Sequence, residues 1–319
     1  MKAIVTGAAG LIGSAIIKRL NELGCTDILA IDILNEKNWK NLNGLEFKDY
    51  IQGQDVIVEG FLPSLFRYYD TVFHLGACSD TTETNADYLI ENNFNFTKFL
   101  CQHALSADRK FIYASSAATY GDGKEGMSED TSLFDLKPLN MYAQSKHMFD
   151  IFALKNNLLD KITGLKYFNI FGPNEAHKKH MASVIYKAFH QIKATGSMDL
   201  FKSYNSNYKD GEQKRDFLYV KDAADITIKL ADSPNKGLYN IGRGEATSWL
   251  ELASYIFKAM GVKKNINFVD MPDDLKSKYQ YFTEANITKL KYSLDIEFTP
   301  LQDSINDYIN NHLSHDVCI

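Results

Sequence analysis

Ser116, Tyr142 and Lys146 have the types and spacing for proton-transfer chemistry. Tyr142 and Lys146 stand four residues apart in a segment that reads as a helix over 140–156, so they share one face. A phenol is a poor base at neutral pH, but an ammonium one turn away stabilises the phenolate and lowers its pKa. Ser116 ends an apolar, strand-like run at 110–116 and is placed to hydrogen-bond a reacting oxygen. Together they could take a hydroxyl proton while hydride leaves the same carbon for an oxidised nicotinamide ring, whose charge favours the phenolate further. Tyr-x-x-x-Lys alone is common on exposed helices, so the reading depends on what positions it.

The positioning elements begin at the first residues. The apolar run at 3–5 suits a parallel strand covered on both faces. It leads into Gly7-x-x-Gly10-x-x-Gly13 and a helix from Leu11 to about 23–24. Gly7 permits the turn, Gly10 lets a pyrophosphate approach the backbone, and Gly13 lets the helix pack on the strand. The helix amides then face the phosphates. A second strand at 27–32 ends on Asp32, 19 residues after Gly13, where a carboxylate meets an adenosine ribose.

Alternation continues with a strand at 71–77, a helix at 86–107 carrying Asn92 and Asn93, the strand at 110–116, the helix at 140–156 and a strand at 165–170 broken by Gly172-Pro173. This predicts an α/β fold, a doubly wound parallel sheet of Rossmann type, with a smaller, discontinuous α/β substrate domain. Helices are predicted at 182–195, 222–231, 248–260 and 301–313, and strands at 217–220 and 238–241. The expected division is 1–170 and 217–244 for the dinucleotide, 171–216 and 245–319 for the substrate.

The 319 residues are 45% hydrophobic and 24% charged, the composition of a globular protein. A net charge of −5 argues against a nucleic-acid surface. The four cysteines lack ligand spacing, so neither a metal site nor a disulfide framework is expected. No apolar run reaches membrane length, and the chain opens directly into a core strand, which makes the cytoplasm the expected location. Cys78 reads as a small buried thiol and His74 as a structural histidine.

The glycine loop, Tyr113-Ala114-Ser115-Ser116-Ala117-Ala118-Thr119-Tyr120-Gly121 and Tyr142-Ala143-Gln144-Ser145-Lys146 resemble the extended short-chain dehydrogenase/reductase superfamily of nucleotide-sugar enzymes. Gly76-Ala77-Cys78-Ser79-Asp80, Phe168-Asn169-Ile170-Phe171-Gly172-Pro173-Asn174-Glu175-Ala176-His177-Lys178, Met181-Ala182-Ser183-Val184 and Lys214-Arg215-Asp216-Phe217 narrow the resemblance to its ADP-heptose 6-epimerase family. The likeness runs from Met1 to about Leu290. It implies interconversion of ADP-D-glycero- and ADP-L-glycero-β-D-manno-heptose at C6 for lipopolysaccharide inner core. The hydride is lifted and returned by tightly bound NADP, in homo-oligomers, often pentamers.

The resemblance further implies two proton-transfer groups, Tyr142 for one stereochemical course and Lys178 for the other, beside Ser116 and Lys146. It puts the cofactor against Gly7, Gly10, Leu11, Ile12, Gly13, Asp32, Ile33, Lys37, Lys40, Leu75, Gly76, Ala77, Cys78, Ser79, Asn92, Tyr142, Lys146, Ile170 and Lys178. Substrate falls against Ser79, Ser116, Asn169, His180, Lys187, Phe201, Lys202, Ser203, Tyr204, Arg215 and Tyr279. Arg215 suits a diphosphate. His180, Lys187 and the longer loop at 206–213 depart from the family pattern. Asp32 by itself favours the free ribose of NAD, whereas the family uses NADP with an acid there, helped by nearby lysines such as Lys37 and Lys40. Two alternatives stand: another nucleotide-sugar 4-epimerase or oxidoreductase, or a nucleotide-sensing module without turnover. A 4,6-dehydratase is disfavoured, because Ala117, Ala118 and Thr119 follow Ser116 with no carboxylate among them.

Overall fold

The computed structural model describes residues 1–53, 55–58, 62–276 and 279–319. Its strands are β1 (Ala3–Thr6), β2 (Ile28–Asp32), β3 (Asp49–Gln52), β4 (Thr71–His74), β5 (Lys110–Ser116), β6 (Thr163–Tyr167), β7 (Asn169–Phe171), β8 (Met198–Phe201), β9 (Lys214–Tyr219), β10 (Gly237–Ile241), β11 (Ala246–Ser248) and β12 (Ile266–Val269). Seven form one parallel sheet in the order β10-β6-β5-β4-β1-β2-β3. This is the doubly wound Rossmann-type arrangement. Ala3, Ile4, Val5, Ile28, Val72 and Phe73 are 0–1% exposed, as strands covered by helices on both faces must be. The order reverses beside β1, so the crevice at the carboxyl ends of β1 and β4 is where a ligand fits.

The predicted strand at 165–170 divides. Phe168 N–H donates to the Ile241 carbonyl at 3.0 Å, and the chain then leaves the main sheet as β7. There β7 pairs parallel with β9, and β9 antiparallel with β11; β8 and β12 form a separate parallel pair. The predicted helix at 86–107 is likewise interrupted by a wider π turn at Ile90–Asn95, and the terminal helix passes into a π turn at Tyr308–Leu313. Strands β3 and β12 escape the hydrophobic pattern because each keeps a partly exposed, half-polar surface.

The glycine turn is sterically determined. At Gly13 an added Cβ would lie 2.0 Å from the Gly7 carbonyl oxygen, and at Gly7, with φ +67°, it would lie 2.7 Å from Gly76 N. Gly13→Val is expected to cost about 3 kcal/mol or more in urea unfolding, because the clash is with the backbone of Gly7 and Ala8. At Gly10 the same atom meets only the Gly7 carbonyl, at 3.0 Å. Gly10→Ala should therefore cost no more than about 1 kcal/mol.

Candidate active site

Ser116 ends β5 and caps a short 3-10 turn at Ala117–Tyr120, its Oγ accepting the Ala118 N–H at 3.1 Å. Asn140 caps helix Met141–Lys155 by accepting the Ala143 N–H at 2.8 Å, which places Tyr142 in the first turn. Lys146 is 5% exposed and donates to the Ala114 carbonyl at 3.0 Å. Burial draws its amine down to about 8, with Asp150 opposing. The same burial pushes the Tyr142 phenol up, the hydrogen bond with Ser116 working against it. The lowered phenol expected from Tyr-x-x-x-Lys is thus not the state of the bare chain. Lys146 is itself desolvated and turned to a carbonyl, so full stabilisation of a phenolate needs added positive charge in the crevice.

The crevice has the shape for a dinucleotide. Gly10 is partly exposed beside the N-terminus of helix Leu11–Glu22, whose first turn carries no acid. Leu11 is buried and Ile12 partly buried behind it. Asp32 accepts the N–H groups of Ala9 at 2.7 Å and Ile33 at 2.6 Å, fixing the turn while leaving lone pairs for a ribose. Ile33, Lys37 and Lys40 are exposed at this edge, and Lys37 lies 3.9 Å from Glu36. On the opposite side, Leu75, Gly76, Ala77 and Cys78 are partly exposed and Ser79 exposed. Burial raises the Cys78 thiol, away from nucleophilic use. Ile170 is partly exposed on β7.

The π turn brings in a residue that had not been assigned a role. The Asn92 amide donates to Tyr88 O inside its own helix at 2.7 Å. Its neighbour Asn93 is fully buried, accepting the Cys78 N–H at 2.8 Å and donating to Cys78 O at 3.0 Å and Ser145 Oγ at 2.9 Å. Ser145 in turn donates to the Tyr142 carbonyl at 2.7 Å. Asn93 therefore joins the loop after β4 to the tyrosine helix. The resemblance selects Asn92 of these two adjacent asparagines for the cofactor; it is the register of the π turn that turns Asn93 to the loop after β4.

Lys178 lies on the short 3-10 segment Ala176–Met181, half-buried. Burial pulls its amine below the ordinary lysine range, with Glu175 opposing. His177 Nδ1 is 3.1 Å from Asn41 Nδ2, which also donates to Ala9 O at 2.7 Å in the glycine turn. His180 stands 3.3 Å from Asp80, just beyond Ser79. The segment carrying Lys178 is thereby joined to both sides of the dinucleotide crevice.

Arg215 on β9 is 8% exposed and faces no carboxylate among its described partners. It donates to the carbonyls of Lys214 and Gln280 and lies 5.2 Å from the Tyr279 ring centre and 5.7 Å from Trp249. Gln280 donates onward to the Gly121 carbonyl, tying Arg215 to the end of the serine turn. A desolvated guanidinium stacked on aromatics suits an anion. Asn169 on β7 donates to Asp216 O at 2.8 Å beside it. Phe201 ends β8, and Ser203 N–H donates to Asp210 at 2.6 Å. Lys202 and Tyr204 both engage Asp270, at 3.1 and 2.8 Å, on the outer surface. Lys187 is exposed on helix Val184–Thr195.

A dinucleotide turn on a doubly wound sheet, with serine, tyrosine and lysine at its carboxyl edge, defines a nicotinamide-dependent enzyme acting on an alcohol carbon. Residues 3–242 match the model of the NAD dependent epimerase/dehydratase family. A curated relative from Nitratidesulfovibrio vulgaris, an ADP-L-glycero-D-manno-heptose-6-epimerase, is 45% identical over 98% of each chain. The crystal structure of the Helicobacter pylori ADP-L-glycero-D-manno-heptose-6-epimerase is similar with a TM-score of 0.80 at 28% identity, over 97% of this chain and 95% of that one. A UDP-N-acetylglucosamine 4-epimerase from Methanobrevibacter ruminantium shares the fold, with a TM-score of 0.83 at 23% identity over 98% of each chain. The chain belongs to the NAD dependent epimerase/dehydratase family, within its ADP-L-glycero-D-manno-heptose-6-epimerase branch.

Asn93→Ala should lower stability by about 1–3 kcal/mol in urea unfolding, since it strands the Cys78 amide and carbonyl. It should also weaken dinucleotide binding at least tenfold by calorimetry, because the loop loses its seat. His74, fully buried, is driven down to about 3. Its folded pKa lies below its unfolded one, so its contribution is whole above about 6.5 and is lost as pH falls from there toward 3. Denaturant unfolding across that window should show the slope, and His74→Gln should flatten it.

Proposed function

We propose that this enzyme interconverts ADP-D-glycero-β-D-manno-heptose and ADP-L-glycero-β-D-manno-heptose by inverting C6, for the heptose of lipopolysaccharide inner core. What supports the reading is that the helix of half-buried Tyr142 is tied through Ser145 and Asn93 to the loop after β4, and the segment of half-buried Lys178 to both edges of the same crevice. A nicotinamide dinucleotide held by the glycine turn and Asp32 would supply reversible hydride transfer at the substrate carbon. Tyr142, with Lys146 behind it, exchanges the hydroxyl proton in one stereochemical course, and Lys178 does so in the other. Ser116 hydrogen-bonds the reacting oxygen. Arg215, with Tyr279 beside it, holds the diphosphate, whose charge replaces the missing carboxylate.

In this proposal the cofactor is NADP, with Lys37 and Lys40 meeting the 2′-phosphate and Asp32 the ribose; NAD is the alternative. Residues 1–170 and 217–244 hold the dinucleotide, and 171–216 and 245–319 the sugar nucleotide, with Asn169, His180, Lys187 and 201–204 contributing contacts. The enzyme works in the cytoplasm as a homo-oligomer, a pentamer by family resemblance. No helix among the described residues is long and apolar enough to cross a membrane.

Incubation with the D-epimer deuterated at C6 should yield the L-epimer with the label kept in the same molecule and no net cofactor reduction. Exchange of the label with water, or inversion at C4 of another sugar nucleotide instead, would refute the proposal. Lys178→Met should reduce turnover by about 10² or more. Nucleotide released on denaturation should carry the 2′-phosphate.

A further inference from the structure

Beneath the serine turn lies an ion pair that the proposed reaction does not use. Lys166 on β6 and Asp150 on helix Met141–Lys155 are both 0% exposed, with Nζ and Oδ2 2.8 Å apart. The Asp150 oxygens also accept the Tyr113 hydroxyl and Ser115 Oγ, each at 2.8 Å. Lys166 donates a second bond, at 2.6 Å, to Thr119 Oγ1, which itself donates to Ser116 O at 2.7 Å. Asp150 stands one helical turn beyond Lys146, on the same buried face. A buried ion pair is weak evidence for stability, since apolar residues of similar volume do as well or better. Its bonds run instead to both limbs of the active site.

We propose that Asp150 and Lys166 are a positioning pair: Lys166, through Thr119, seats Ser116, and by sharing Asp150 it limits the negative field that reaches Lys146. Among the described residues the pair's immediate surroundings hold two cations, Lys146 and Lys166, against Asp150, while Glu129 reaches Tyr120 from its far side. Around them, His74 from β4 and His147 on the same helix are both pushed toward the neutral form. Burial raises the thiols of Cys78 and Cys101 and the phenols of Tyr113 and Tyr120, keeping them uncharged. Asp150 is therefore the group whose balance changes the charge at Lys146, whose amine already sits at about 8.

The inference rests on the proposed function, but its first test does not. In the full-length protein as purified, Lys146 is titrated by NMR of ¹³Cε-labelled lysine, with Lys146→Met identifying its resonance. Lys166→Met should move the midpoint up by roughly one pH unit, and Asp150→Asn should move it down by a similar amount. The double variant should return close to wild type. Opposite signs are not what general loosening produces; shifts of one sign, or none in folded variants, overturn the proposal. Thr119→Val keeps the ion pair and cuts the link to Ser116. It should lower kcat about tenfold with KM little changed and the melting temperature lowered, since Lys166 loses a buried acceptor; wild-type kcat in the folded variant would refute the seating role. If wild-type protein leaves the heptose nucleotide unconverted, the functional reading fails while the lysine titration still decides this one.

Discussion

A continuous line of buried hydrogen bonds runs from the glycine-loop strand to the tyrosine helix. Gly76 N–H donates to Thr6 Oγ1 at 3.0 Å, and Thr6 Oγ1 lies 2.7 Å from His74 Nδ1. His74 Nε2 is 2.9 Å from Thr97 Oγ1, which donates to Asn93 O at 2.7 Å, and Asn93 continues to Ser145 and Tyr142. Thr6, His74, Asn93, Thr97 and Ser145 are all at most 2% exposed. Since Thr97 spends its proton on Asn93 O, the network assigns His74 as the Nε2–H tautomer, with Nδ1 accepting from Thr6. A second proton on the ring would point a donor at Thr6 and force its hydroxyl to turn away. Burial, with the Lys146 charge adding to it, holds the imidazole neutral, and this geometry accommodates only the neutral ring without rearrangement.

Such a line is specific because it is costly to break. Each bond contributes only about 1 kcal/mol net, while a buried group left without a partner costs about 1–3 kcal/mol. The loop after β4 therefore has one low-energy seat, and that seat is measured from Tyr142. A dinucleotide laid across the sheet edge meets a loop and a phenol whose separation is set by protein bonds rather than by the ligand. Preorganisation of this kind lowers the reorganisation needed at the moment of transfer.

The parts of this arrangement that follow local periodicity were legible in the sequence. The glycine turn, Asp32, the serine-ended strand and the tyrosine helix each announce themselves by apolar runs, small residues or helical spacing, and the sheet brings them together. Asn93, Gln280, Asp150 and Lys166 were not legible, because their partners lie 15 to 159 residues away. Lys166 in particular sits inside an apolar strand, where pattern alone argues for a hydrophobic residue. Its meaning exists only once Asp150 and Thr119 close around it. The state of the phenol in the bare chain was not legible for the same reason: helical spacing puts Lys146 beside Tyr142 but does not show that burial disfavours the charged form of each.

Inverting a carbon by removing and returning one hydride requires the sugar's side arm to present two faces to the same crevice, so the groups receiving it must hold still while the substrate turns. In the proposed reaction Lys178 is one of these groups, and the segment bearing it is tethered on both sides. Glu175, buried, accepts the N–H and hydroxyl of Ser183 at 2.5 and 2.7 Å on one side. Asn41 holds His177, His180 reaches Asp80, and Thr81 Oγ1 contacts Met181 Sδ at 3.7 Å on the other. Between them Lys179 is forced to φ +49°, ψ −116°, a conformation that costs a non-glycine residue about 1–3 kcal/mol and persists only where surrounding contacts over-determine it. The tethers around this strained residue also hold the preceding one, Lys178, half-buried. In the proposed mechanism the free rotation is thus left to the substrate's exocyclic bond, and not to the protein.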